Sequence, residues 1–236
     1  MRDAAARPLD VDAVLFDLDG TLADTAGDLA GAVNRMRRER GLPDAPVEAM
    51  RAYASSGARG LLQAGLGVTS DAADYARLRD EFLRNYEACL AQTTRLFPGV
   101  DALLDALEAR GLAWGIVTNK ATRFTSPVVR ALALVPRASV VVSGDTTAHA
   151  KPHPEPLLHA ARSMSVAPAR CVYVGDDLRD VVAGNAAGMA TLVARWGYLG
   201  SEAPPDTWPA TGGAEAPFDL LDWLPARAAT ADTRSR

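Results

Sequence analysis

Two carboxylates two positions apart, Asp17 and Asp19, stand at the end of the short apolar run Ala13-Val14-Leu15-Phe16. Residues i and i+2 leave an extended strand on the same side, so both can address one bound group. An Asp-Gly pair alone makes a turn, but the run Asp17-Leu18-Asp19-Gly20-Thr21 directly after a buried strand holds more acid than a turn requires. A second cluster, Gly175-Asp176-Asp177-Leu178-Arg179-Asp180, also follows an apolar run and opens a helical pattern. Capping the positive end of that helix, worth up to about 1 kcal/mol, accounts for one of its aspartates and leaves the others unexplained. Two such clusters at the carboxyl ends of parallel strands make an all-oxygen site for a hard cation, and Mg2+ is the natural candidate.

Between the clusters lie Thr118-Asn119-Lys120 and Lys151-Pro152-His153-Pro154. A hydroxyl, backbone amides and an ammonium are what an anionic phosphoryl group requires. Each element is weak evidence alone, since a Thr-Asn pair usually turns and a lone lysine usually lies in solvent. Their order gives them weight, because ligands of open α/β sheets gather at the carboxyl ends of strands near the switch point. His149, His153 and His159 are expected on the surface or in loops and not as metal ligands.

The elements that must hold these residues can be read from hydrophobic runs. Ala13–Phe16, Gly115–Val117, Ser139–Val142, Cys171–Val174 and Ala190–Val193 have the apolar, β-favouring character of strands buried on both faces. Val100, Leu103, Leu104 and Leu107 before Gly111, then Pro156 to Met164, then Leu178 to Ala187 before Gly188 have helical spacing. Strands alternating with helices predict an α/β fold with a doubly wound parallel sheet of five strands. The interval between the first two strands is far longer than an ordinary connection and contains helical patterns without a convincing strand. It predicts an inserted helical cap domain over residues 25–93, with the catalytic core in residues 1–24 and 94–236. Within it Leu29, Val33 and Met36 precede Gly41 and Pro43, and Ser70 is expected to cap a helix whose Tyr75, Leu78, Phe82, Tyr86 and Leu90 form one packing stripe. The Pro/Gly/Ala-rich segment Gly200 to Pro217 is expected to be a surface loop before a short helix, Phe218 to Leu224, and the tail from Pro225 is expected to fray.

With 236 residues, near half of them apolar and 23% charged, the chain can bury a substantial core. A net charge of -4 gives no global attraction to nucleic acid or an anionic membrane, so any phosphate-bearing partner must be held locally. The basic run Arg35 to Arg40 has the spacing of a solvated helix face. The only cysteines, Cys89 and Cys171, are far apart and support neither a disulfide framework nor a thiolate metal site. No signal peptide and no membrane span is legible, so a cytoplasmic protein is expected.

In this order the four elements resemble the four motifs of the haloacid dehalogenase superfamily, and the helical insertion resembles its α-helical cap. The resemblance covers nearly the whole chain and implies strand order 5-4-1-2-3. It makes Asp17 the nucleophile, Asp19 the general acid and base, and Lys151 the charge stabiliser. Thr118 and Asn119 join Lys151 in binding the phosphate. Asp176 becomes a Mg2+ ligand beside the Asp17 carboxylate and the Asp19 backbone carbonyl, with Asp177 and Asp180 supporting the ligands. The implied activity is a magnesium-dependent phosphatase acting on a small-molecule phosphate monoester through a phospho-aspartate. Asp19 argues against dehalogenases, which lack the second aspartate. A sugar phosphomutase shares all four motifs, whereas a non-enzymatic phospho-accepting switch would carry its aspartate after a middle strand of a much shorter domain. Thr118-Asn119-Lys120 and the run Val174 to Asp180 resemble phosphoglycolate phosphatases, so 2-phosphoglycolate is the expected substrate. Arg38 to Pro43, Ser56 to Gly60, Arg123-Phe124, Gly175 to Asp180 and Gly197-Tyr198 resemble N-acetylmuramic acid 6-phosphate phosphatases, which provide the alternative. Both substrates carry a carboxylate, and Arg59, in the glycine-flanked run Ser55 to Gly60, is expected to bind it. No nucleic-acid or membrane partner is expected, and no oligomeric state follows.

Overall fold

Every residue of the first strand is fully buried because the sheet is covered on both faces. The structure, a computed structural model, describes residues 8–200 and 203–226. The chain runs β1 (Ala13–Phe16), β2 (Ala23–Asp24), the helices α1 (Ala26–Glu39), α2 (Val47–Arg51), α3 (Gly57–Leu66) and α4 (Tyr75–Glu87), then β3 (Arg95–Leu96). It continues through α5 (Val100–Ala109), β4 (Ala113–Val117), α6 (Thr122–Ala131), β5 (Val141–Val142) and α7 (Glu155–Ser163). β6 (Cys171–Gly175), α8 (Leu178–Ala186), β7 (Ala190–Ala194) and β8 (Gly212–Ala214) complete it. Alternate residues of β1 serve opposite layers. Val14 and Phe16 pack with Val100, Leu103 and Leu107 of α5, while Ala13 and Leu15 pack with Leu157 and Ala160 of α7.

The main sheet is six-stranded and parallel, in the order β5-β4-β1-β6-β7-β8. The five expected strands stand in the expected order, and β8 is a sixth. It lies inside the segment read as a loop, because Gly212-Gly213 has none of the bulk that marks a strand. The glycine has a packing reason: a side chain at Gly212 would run into the indole of Trp223. The strand expected over Ser139–Val142 narrows to Val141–Val142 at the opposite edge, and the short last helix is a 3-10 turn over Pro217–Asp222. The frayed tail expected from Pro225 falls, from residue 227, outside the described residues.

Register sets the site. Phe16 stands opposite Ile116 on β4 and Val174 on β6, so these neighbouring strands end nearly level and deliver Asp17, Thr118 and Asp176 to one edge.

The helices α1 to α4 have their own core, in which Leu78, Phe82 and Tyr86 of α4 meet Leu29, Val33 and Met36 of α1. The stripe is packing, as expected, but its helix starts at Tyr75 with Asp74 at the cap position and not at Ser70. The amides of Ala72 and Tyr75 are held in turns by the carbonyls of Thr69 and Ala72, which keeps the preceding residues out of the helix. The basic run of α1 is internally engaged: Arg35 pairs with Glu39, Arg38 with Asp44 and Arg40 with Glu81. Where the helical segment leaves and rejoins the core, β2 and β3 form an antiparallel ladder. Beside it the buried Asp28 of α1 accepts from the amides and hydroxyls of Thr93 and Thr94 at 2.6–3.2 Å. Among the described residues no helix is long and apolar enough to cross a membrane.

Candidate active site

Asp17 is the first residue past β1, and its amide still bonds the Val174 carbonyl at 2.9 Å, so the sheet fixes its backbone. The buried ammonium of Lys151 stands 2.9 Å from Asp17 Oδ1. An ammonium has three protons, and those of Lys151 have acceptors in the Val117 carbonyl at 3.0 Å, the Tyr173 hydroxyl at 2.7 Å and Asp180 Oδ1 at 2.8 Å. Asp17 Oδ1 therefore has a charge contact and no hydrogen bond, a buried carboxylate oxygen left without a donor. Burial pushes Asp17 up to about 7; Lys151 opposes the shift, and the charges of Asp180 and Asp19 add to it.

Asp176 follows β6 and is fully buried. It accepts from Thr21 Oγ1 at 3.1 Å, the Tyr198 amide at 2.9 Å and Ser55 Oγ at 3.3 Å. Side chains at Gly20 or Gly197 would both collide with it, and Gly20 has φ +88°, so this turn requires glycine for both shape and space. Burial, then the charges of Asp17 and Asp180, hold Asp176 well above the ordinary carboxylate range. Oxygens of Asp17, Asp176 and Asp180 all lie within 4.8 Å of one another. A crowded, buried, all-oxygen set with one orphaned oxygen fits a hard divalent cation, whose charge would relieve the mutual repulsion. Both oxygens of Asp180 are engaged, Oδ1 by Lys151 and Oδ2 by the Asp177 amide at 3.1 Å.

Asp19 is held apart from that cluster. Its Oδ1 accepts from Lys120 Nζ at 2.8 Å and Thr25 Oγ1 at 2.6 Å, and the carboxylate faces a cavity of about 350 Å3. Asp17, Thr118 and Lys151 line the same cavity. Thr118 is buried and its hydroxyl accepts from the Lys120 amide. Asn119 also reaches the wall, but its carboxamide donates to the Lys151 carbonyl at 2.8 Å and accepts from the Lys151 amide at 2.9 Å, which fixes the loop that carries the lysine. Asp177 caps α8 through the Arg179 amide and pairs with the Arg179 guanidinium at 2.8 Å. The capping and the functional readings of this acidic run therefore both have residues to serve them. Arg59 lies on the exposed side of α3, outside the cavity lining, whereas the preceding residues Ser55 to Ala58 form part of it.

Four residues of the site were given no role of their own in the sequence reading, although Arg123 stood in the resembling stretch Arg123-Phe124. Tyr173 sits within β6, where an aromatic reads as core. Lys120 and Arg179 are embedded in recognised motifs, and their neighbourhood was the available signal. Arg123 stands three residues past Lys120, in the first turn of α6, and reaches the cavity wall.

The model of the family described as "Haloacid dehalogenase-like hydrolase" matches residues 14–194. A phosphoglycolate phosphatase of Xanthomonas campestris is 45% identical over 214 residues, 91% of this chain and 96% of that protein. An N-acetylmuramic acid 6-phosphate phosphatase of Pseudomonas aeruginosa is 41% identical over 212 residues, covering 90% and 94%. The crystal structure of a predicted phosphoglycolate phosphatase from Haemophilus somnus superposes with TM-score 0.77 at 27% identity, over 90% of this chain and 97% of that one. With this kinship over nearly its whole length, the chain belongs to the haloacid dehalogenase-like hydrolase family, as a phosphoric monoester hydrolase.

Proposed function

We propose that this enzyme is a magnesium-dependent phosphatase that hydrolyses a small, carboxylate-bearing phosphate monoester through a phospho-aspartate at Asp17. The observation that carries the reading is the buried Asp17–Lys151–Asp180 assembly, open to a cavity on whose wall Asp19 stands separately, held by its own lysine. Asp17 attacks phosphorus; the new O–P bond forms as the ester P–O bond breaks, and Asp19 gives its proton to the departing alcohol oxygen. Asp19 then takes a proton from the water that attacks the acyl phosphate, releasing inorganic phosphate and restoring Asp17. Each unit of like-charge repulsion at about 4 Å costs roughly 4 kcal/mol at an effective dielectric of 20. Lys151 offsets part of it from a position fixed by Asn119 and Tyr173. Asp17 and Asp176 with the Asp19 carbonyl, supported by Asp177 and Asp180, would hold Mg2+, which would supply the remaining positive charge.

The relatives' names offer two substrates, 2-phosphoglycolate and N-acetylmuramic acid 6-phosphate, at comparable identity. The cavity favours the second. About 350 Å3, with an apolar wall from Leu29, Phe82 and Phe124, is the scale of pockets that bury drug-sized ligands and exceeds what a two-carbon acid requires.

The test is a side-by-side kinetic comparison of both esters with Mg2+, with EDTA, and with Asp17→Asn. Magnesium-dependent phosphate release that falls at least a hundredfold in the variant, a loss of ~2.7 kcal/mol or more, is expected. Full turnover in EDTA or in Asp17→Asn overturns the mechanism, and an isomerised sugar phosphate without release of phosphate marks a phosphomutase.

A further inference from the structure

Four cationic side chains line the cavity, and three of them are committed: Lys151 to Asp17 and Asp180, Lys120 to Asp19, and Arg179 to Asp177. The fourth is Arg123. Its guanidinium stacks 4.4 Å from the Phe124 ring centroid and, among the described residues, makes no ion pair with a carboxylate. Asp145 feels its charge, yet accepts its hydrogen bonds from the amide and hydroxyl of Thr122.

Arg123 is also at the wrong end of its helix. It occupies the first turn of α6, where the helix dipole is positive and where Asp145, hydrogen-bonded to the Thr122 amide and hydroxyl, is the kind of charge that suits the position. A cation there costs on the order of 0.3–1 kcal/mol relative to an acid. A residue that breaks a local rule without a local gain marks a place where function overrides stability. The stacking on Phe124 holds the planar fork at the cavity wall at little entropic cost, and such a fork recognises a carboxylate through two parallel hydrogen bonds.

We infer that Arg123 binds the carboxylate of the substrate, so that the first turn of α6, and not Arg59 of α3, reads this group. The inference rests on the phosphatase reading above and deepens it. Among the carboxylate-bearing monoesters proposed above, it names the residue on the cavity wall that reads the carboxylate.

The experiment compares kcat/KM for two matched pairs in the full-length enzyme with Mg2+. These are N-acetylmuramic acid 6-phosphate against N-acetylglucosamine 6-phosphate, which lacks the lactyl carboxylate, and 2-phosphoglycolate against ethyl phosphate. The wild type is expected to prefer the carboxylate-bearing member of at least one pair. Arg123→Ala is expected to cut that preference by about tenfold or more, mainly through KM, and Arg123→Lys, which keeps the charge but loses the fork, to cut it less. Because Arg123 is exposed, melting curves of both variants are expected to match wild type. A wild-type preference that persists in Arg123→Ala overturns the inference, as does its loss in Arg59→Ala with Arg123→Ala intact. A wild type that turns over all four esters without preference overturns the inference alone. If no phosphate monoester, including p-nitrophenyl phosphate, is hydrolysed, the phosphatase reading falls and takes this inference with it.

Discussion

The ammonium of Lys120 lies 2.8 Å from Asp19 Oδ1 and 4.7 Å from the centroid of the Tyr86 ring, so one charge joins the core carboxylate to helix α4. Burial alone would lower the Lys120 pKa, but Asp19 and Tyr86 outweigh it and hold the value above the ordinary range, which keeps the lysine charged. In the proposed mechanism Asp19 points at the leaving oxygen in one step and at a water in the next, and a charge-assisted bond restricts its rotation.

Lys120→Met is therefore expected to lower kcat by about tenfold to a hundredfold, the kinetic equivalent of ~1.5–3 kcal/mol for a hydrogen bond to a charged group. The loss is expected to be larger for an alkyl phosphate than for p-nitrophenyl phosphate, whose leaving group needs little protonation. Rates for the two substrates in wild type and variant check this, and equal losses would count against positioning of the acid.

Arg179 joins α8 to the turn before α3. Its guanidinium bonds Asp177 and also donates to the Ser55 carbonyl at 2.6 Å, while the Ser55 hydroxyl reaches Asp176. Arg179→Gln is expected to loosen the loop over Ser55 to Ala58 and raise KM for a cavity-filling ester by about tenfold, with a smaller effect on kcat. Faster amide exchange confined to residues 55–58, measured alongside KM, distinguishes a loosened closure from general destabilisation.

Asp28 fastens the exit of the helical segment to its entrance through Thr93 and Thr94. Burial would raise its pKa, but the side-chain and backbone hydrogen bonds from both threonines overcome that and hold it below the ordinary value. Because the folded value lies below the unfolded one, this stabilisation is present above the ordinary carboxylate pKa and is lost as pH falls through the folded value. Asp28→Asn is expected to cost about 1–3 kcal/mol at neutral pH, about 2–4 °C in Tm for each kcal/mol. Thermal melts across pH check the sign: the gap between wild type and variant should narrow on acidification.

Much of this was legible from the chain alone. The apolar runs that end in Asp17, Thr118 and near Asp176 are short enough, and apolar enough, to be central strands, and a strand's period of two fixes which side chains leave its end together. The helical character of the insertion followed from spacing in the same way. Those properties are local, and local sequence determines them.

Tertiary structure decided which partners the site residues meet. Tyr173 of β6 meets Lys151 from the segment between β5 and α7, a long-range contact invisible in Cys171–Gly175 itself. Asn119 serves the Lys151 backbone because two loops distant in sequence converge. β8 pairs with β7 although its glycines carry no strand signal of their own, and Trp223 packs over Gly212. Arg59 and Arg123 are alike as residues in a sequence, and only the packing of α3 and α6 around the cavity turns one outward and the other to the wall. Spacing sets which side of its own element a side chain occupies; what lies across from it is set by long-range contacts, which pair residues by shape and charge after the chain has folded.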